Sequence, residues 1–96
     1  GTMLDNTVII YISDGAEGHH SRCWEWPVVM LGNAGGKLKA GRYVDYPGYG
    51  QVGHRTTANL YTTLLNIAGS KAERFGMADP NLKDLDQTGP LSELLV

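Results

Sequence analysis

Two short runs of unbroken apolar, largely β-branched residues set the terms on which this chain can fold. Val8-Ile9-Ile10-Tyr11-Ile12 and Val28-Val29-Met30-Leu31 contain no charged or strongly polar side chain. A strand with one wet face alternates apolar and polar residues, whereas a strand covered on both faces reads as a continuous apolar run, as in a parallel sheet. Both runs therefore predict strands buried on two sides. Pro27, at the entrance to the second, fits a position that need not donate to a ladder. One helix pattern accompanies them, over residues 57–68, with Leu60, Tyr61, Leu64, Leu65 and Ala68 on a single apolar stripe. Thr56 or Thr57 can supply its N-cap oxygen and Gly69 suits the left-handed position after its end. Two doubly buried strands and one helix cannot cover both faces and both edges of a sheet. The expected architecture is α/β, either as a chain that pairs with a second copy or, the favoured reading, as a portion of a larger α/β domain.

The rest of the chain reads as connections. Residues 4–7 form a lead-in turn, and a turn begins at Ser13-Asp14-Gly15. Asn33-Ala34-Gly35-Gly36 breaks the chain after the second run, and it lacks the Lys-Ser/Thr of a phosphate-binding P-loop. Residues 37–46 suit a short hairpin, or a strand followed by an extended arm, and 47–53 are loop. Residues 70–96 form a loop-rich tail, coil over 73–87, with a short terminal helix expected at 91–95 after Pro90. The thirteen glycines are dispersed, which fits many tight turns at the loop-rich end of a sheet.

Composition narrows the function classes. Ninety-six residues predict one small domain whose core is thin, and the uncovered strands make 1–96 a single partial domain. A hydrophobic content of 42% with 19% charged residues is globular rather than disordered. The net charge of −2 argues against nucleic acid as a partner. No apolar run approaches the roughly 20 residues of a membrane span, and no leader pattern is visible. Cys23 is the single cysteine, which excludes an internal disulfide and a cysteine-based zinc site. With Trp24 and Trp26 close after it, it reads as a structural thiol.

Chemistry concentrates between the two runs. Ligands of open α/β sheets bind beyond the carboxyl ends of strands, where Asp14 is expected. His19 and His20 follow, and a carboxylate with imidazoles suits Zn²⁺ or another divalent transition metal better than Ca²⁺ or Mg²⁺. One histidine would ligate while its neighbour or Glu17 orients it. Asp-Gly turns and solvent-facing histidine pairs are the plain alternative. Arg22 can bind a phosphate or sulfate through its guanidinium, or simply face solvent. His54 can meet an anion beside the helix N-terminus, or lie on the surface. Tyr43, Tyr46 and Tyr49 offer either a stacking wall or ordinary half-buried loop packing.

The order of these elements resembles the C-terminal portion of the alkaline phosphatase and sulfatase superfamily. The resemblance rests on Val8 to Asp14 followed by His19-His20, then Trp26 to Asn33, then His54 to Gly69 with its Asn59-Leu60-Tyr61-Thr62-Thr63-Leu64-Leu65 helix. Met3-Leu4-Asp5-Asn6-Thr7 and Glu17-Gly18-His19-His20 look like the end of an uncharacterised exported bacterial family within that group. The resemblance implies Asp14 and one of His19 or His20 as metal ligands, a phosphate or sulfate ester as substrate, and an exported parent. Gly15 stands where the superfamily's adjacent metal-binding histidine would be. The superfamily's nucleophile and first metal-binding aspartate come from earlier strands. The expected function is thus part of a metal-dependent ester hydrolase, inactive alone. The alternative is a non-catalytic binding or assembly module with a degenerate site, interacting through residues 42–49.

Overall fold

The computed structural model describes residues 1–13, 26–81 and 85–96. In chain order it contains a 3-10 turn at Met3–Asn6, strand β1 at Ile9–Ile12, strand β2 at Val28–Leu31, helix α1 at Thr57–Ile67 and a 3-10 turn at Ser92–Leu94. The α/β class and both apolar strands are as expected. Their pairing is not: β1 and β2 form a two-stranded antiparallel ribbon, with Ile9 opposite Leu31, Ile10 opposite Met30, Tyr11 opposite Val29 and Ile12 opposite Val28.

This register sorts the side chains by face. Ile10, Ile12, Val28 and Met30 are half-buried, whereas Ile9, Tyr11, Val29 and Leu31 are exposed. The expectation of burial on both faces is therefore corrected within this chain, where nothing among the described residues covers the outer face. The uniform apolar sequence concealed an alternation imposed by the pleat.

The buried apolar core consists of Leu38, Leu60, Ile67, Leu91 and Leu94, against which Val28, Met30, Val44 and Tyr46 pack. Helix α1, the arm after β2 and the C-terminal tail meet here. Lys39 N–H donates to Leu94 O (2.7 Å), Val96 N–H donates to Lys37 O (3.0 Å), and Leu38 forms an antiparallel bridge with Leu95. The expected hairpin or strand at 37–46 is thus a single bridge to the far end of the chain. Lys37 Nζ also donates to Ile67 O (3.0 Å), placing a cation on the last turn of α1, where the helix dipole favours it.

The N-terminal turn docks on the turn after β2, through Asn33 N–H to Leu4 O (3.2 Å) and Ala34 N–H to Thr7 O (3.1 Å). Gly32 makes that approach possible. Its φ is +98°, and a Cβ there would run into the carbonyl oxygen of Thr7.

Helix α1 starts at the expected cap. Thr56 Oγ1 accepts from Asn59 N–H (3.3 Å), and Asn59 Oδ1 accepts from Thr56 N–H (2.9 Å), a reciprocal capping box. Gly69, with φ +100°, follows the end of the helix as expected. The buried face, however, is Asn59, Leu60, Thr62, Thr63 and Ile67, while Tyr61 and Ala68 are exposed. Three polar residues on that face have no exposed surface at all. Thr62 and Thr63 hydroxyls return to the Ala58 and Asn59 carbonyls (2.9 and 2.8 Å), and Thr63 Oγ1 also accepts Leu91 N–H (2.7 Å). Asn59 Nδ2 donates to Thr88 O (3.2 Å) and Gly89 O (3.0 Å). The helix holds the tail through polar contacts that hydrophobic periodicity does not register.

Candidate functional site

A cavity of 590 Å³ opens between β2, the 38–46 arm, the start of α1 and the tail. That volume lies within the range of small-molecule sites. Val28 and Met30 contribute the inner face of β2, and Leu38, Leu60, Leu91 and Leu94 supply an apolar floor. Trp26, Tyr46 and Tyr49 add aromatic surface. The polar lining is dominated by cations: Lys39, Arg42 and Arg55 stand against a single acidic residue, Asp79.

Asp79 is occupied locally. Its Oδ1 accepts the Asn81 N–H (2.9 Å), while its backbone is bracketed by the Gln87 amide. Arg42 Nη1 donates to Glu93 O (2.8 Å) and Tyr46 donates its hydroxyl to Glu93 Oε2 (3.0 Å), so the arm is clamped to the terminal 3-10 turn. Burial, followed by this hydrogen bond to a carboxylate, pushes the Tyr46 phenol up to about 12. Glu93 moves the opposite way, its carboxylate stabilised first by its own backbone N–H and then by the Tyr46 hydroxyl. The two shifts agree in describing a neutral phenol held on an ionised carboxylate.

Arg55 Nη2 donates to Pro90 O (3.3 Å), and its buried Nε has no hydrogen-bond acceptor among the described residues. His54 is half-buried on the same lining. Its Nδ1 lies 2.8 Å from Pro47 O, and its ring meets Tyr49 edge to face at 5.7 Å. A carbonyl only accepts, so Nδ1 carries a proton and donates it to Pro47 O. The expected loop at 47–53 thus positions a histidine through its own backbone.

Asp14, Glu17, His19, His20 and Arg22 lie outside the described residues, as does Cys23. Of the expected site residues, His54 is placed. Trp26, directly after residues 14–25, lines the cavity, and its strand partner segment begins at Val28, opposite Ile12. Both described ends of the chain around 14–25 therefore reach the sheet end that forms one cavity wall. Among the described residues, no group of three or more His, Cys, Asp or Glu could hold a metal.

The tyrosines divide. Tyr46 and Tyr49 line the cavity, whereas Tyr43 is exposed and outside it. Sequence reasoning missed Arg42 and Arg55. For Arg55 a signal existed, since it sits between His54 and the N-cap Thr56. Arg42 reaches the site through a tail residue 51 positions away, which no local pattern announces. No helix among the described residues is long and apolar enough to cross a membrane. No protein-family profile matches the chain, and neither a curated protein nor a solved structure matches it.

Proposed function

We propose that this chain forms part of a metal-dependent phosphate- or sulfate-ester hydrolase of the alkaline phosphatase and sulfatase superfamily, contributing an anion-accepting cavity and part of a metal site, and is inactive alone. The observation that carries the reading is the cavity wall itself: Arg42 and Arg55 lie on one lining with His54, each guanidinium hydrogen-bonded to a backbone carbonyl, with the Glu93 carboxylate near enough to feel both. Guanidinium groups that keep N–H donors beyond one carbonyl contact are suited to an oxyanion.

The donor set Asp14, His19 and His20 fits Zn²⁺ or a similar ion, with hard oxygen and borderline nitrogen ligands. When bound, such an ion supplies Lewis-acid polarisation of an ester oxygen. The role of the described residues is to bind and orient the anionic end of the ester. The remaining ligands and the nucleophile would come from the rest of a larger chain, and an exported location follows only from the superfamily resemblance.

Calorimetric titration with Zn²⁺ and Mn²⁺ tests the metal half of this reading. One saturable site, lost in Asp14→Ala, is expected, and no metal-dependent heat would overturn it. Turnover of a phosphate monoester by the isolated chain would contradict its incompleteness.

A second reading, an assembly module, is favoured by one observation. Ile9, Tyr11, Val29 and Leu31 form an exposed apolar face of paired residues across the ribbon. On this reading the occupant is a second copy of the chain or the remainder of a larger domain.

A further inference from the structure

We infer that the groove beneath residues 88–96 is a docking surface for a second copy of this chain, which fills it with the same segment in exchange. Such exchange goes beyond the hydrolase reading and holds whether or not the cavity takes an ester.

Residues 88–96 dock as a unit. They carry their own 3-10 turn, in which Leu94 N–H donates to Leu91 O (3.0 Å) and Leu95 N–H to Ser92 O (3.1 Å). Outward, they meet two strips of the body. Along the first, Asn59 Nδ2 donates to Thr88 O and Gly89 O, Arg55 Nη2 donates to Pro90 O, and Leu91 N–H donates to Thr63 Oγ1. Along the arm, Arg42 Nη1 donates to Glu93 O, Tyr46 donates its hydroxyl to Glu93 Oε2, and Lys39 N–H donates to Leu94 O. Val96 N–H closes the strip on Lys37 O. The groove therefore reads this segment by its backbone and its two buried leucines. Nothing in that recognition requires the segment to belong to the same chain.

The body needs the segment. Leu91 and Leu94 complete a buried cluster with Leu38, Leu60 and Ile67. Whenever the segment leaves, those three residues lose their cover, and the identical segment of another copy restores every contact. An unrelated apolar ligand would fill the space but leave the donors of Asn59, Arg55 and Arg42 without their carbonyls.

The connection permits the exchange. Gly89 N–H donates to Glu73 O (2.5 Å), so residues 74–88 form a loop whose two ends touch. A second closure joins Gln87 to Asp79: the Gln87 amide donates to Asp79 O (3.1 Å) and accepts the Asp79 N–H (2.9 Å). Residues 74–81 are exposed throughout and contribute nothing to the core. Extended, the loop reaches roughly 50 Å, beyond the 44 Å longest dimension of the molecule. The contacts at Glu73 and Gln87 belong to the closed chain, and an exchanged pair gives them up. Within one chain the segment competes at an effective concentration of about 1 mM. Exchange therefore calls for protein concentrations in that range, and it persists once formed because the segment must leave before it can return.

The test uses the full chain in a Cys23→Ser background, so that introduced cysteines are the only thiols. The bonds from Lys39 to Leu94 and from Val96 to Lys37 flank Leu38 and Leu95, making these a non-hydrogen-bonded antiparallel pair. The Cα atoms of such a pair lie about 4.5 Å apart, inside the range a disulfide spans. Chains carrying Leu38→Cys are mixed with chains carrying Leu95→Cys at about 1 mM, then diluted and oxidised. A disulfide joining position 38 of one chain to position 95 of the other is expected, read by non-reducing electrophoresis and mass spectrometry. Gln87→Ala, which weakens only the closed loop, should raise its yield about fivefold. If a chain carrying both cysteines closes its own bond while the mixed chains form none, exchange is overturned. Should the cysteine substitutions prevent folding or bonding, light scattering on the parent and on Gln87→Ala decides. A dimer formed at about 1 mM should survive dilution and revert to monomer after unfolding and refolding at low concentration. Monomer alone in both proteins, or a dimer that dissolves at once on dilution, would overturn the exchange.

Discussion

Replacing Asn59 by alanine should remove a large share of the stability of this chain. The side chain has no exposed surface and makes four hydrogen bonds outside its own backbone. Its Oδ1 accepts the Thr56 N–H and hydroxyl (2.9 and 2.8 Å), and its Nδ2 donates to Thr88 O and Gly89 O (3.2 and 3.0 Å). Alanine leaves an orphan N–H at the start of α1, worth about 1 kcal/mol as a lost cap interaction. It also strands two tail carbonyls, at about 1 kcal/mol or more each. The expected loss is about 3–4 kcal/mol, against a total of about 5–14 kcal/mol for a domain of this size.

Urea unfolding, followed by circular dichroism and tryptophan fluorescence, measures it. Asn59→Asp separates the two halves of the argument. Aspartate keeps the cap and adds a favourable charge near the helix N-terminus, but it faces the Thr88 and Gly89 carbonyls with an acceptor instead of a donor. If the tail contacts matter, Asn59→Asp loses nearly as much as Asn59→Ala. A loss below about 1 kcal/mol for alanine, or an aspartate variant as stable as the parent, would refute the reasoning.

Gly32→Ala should cost about 3 kcal/mol or more, because its φ is +98° and the added Cβ meets the Thr7 carbonyl; Gly69→Ala, equally left-handed but with open space, should cost about 1 kcal/mol, and equal losses in urea melts would contradict the packing argument. Tyr46 has its folded pKa raised from 10.0 to about 12, so its contribution to stability is complete below pH 10 and lost as pH rises toward 12. Unfolding midpoints of the parent should therefore fall relative to Tyr46→Phe across that window, and parallel curves would count against the Glu93 contact. Glu93, with its pKa lowered, contributes stability above its unfolded pKa that disappears as pH falls through the folded value; Glu93→Gln should abolish that acid-side dependence in the same melts. Tyr11→Lys introduces a charge on the exposed apolar face, where Tyr11 is 77% exposed, and should lower self-association in light scattering without lowering the unfolding midpoint; an unchanged molar mass for an associating parent would remove this face as the contact.

Local chemistry made much of the architecture legible. Continuous β-branched runs produce strands at Ile9–Ile12 and Val28–Leu31, and Thr56 with Gly69 bounds a helix at Thr57–Ile67 because caps act within one turn. Pro47 to Gly53 is a loop for the same local reason. Antiparallel pairing, and the exposure of one ribbon face, depended on which strand came alongside and in what register. That is a property of two segments together.

The cavity was less legible still. Asp14, Glu17, His19, His20 and Arg22 drew the reading toward residues outside the described structure, whereas the described cavity is made by Arg42, His54 and Arg55. The buried face of α1 exposes Tyr61 and hides Asn59, Thr62 and Thr63, the reverse of what hydrophobicity ranks. The amino-acid sequence by itself determined the strands, the helix, its caps and its turns, since each depends on residues a few positions apart. The tertiary structure alone decided the face of the helix and the walls of the cavity. Those rest on hydrogen bonds such as Asn59 to Gly89, Thr63 to Leu91 and Arg42 to Glu93, whose partners are distant in the chain and become neighbours only when the tail folds back.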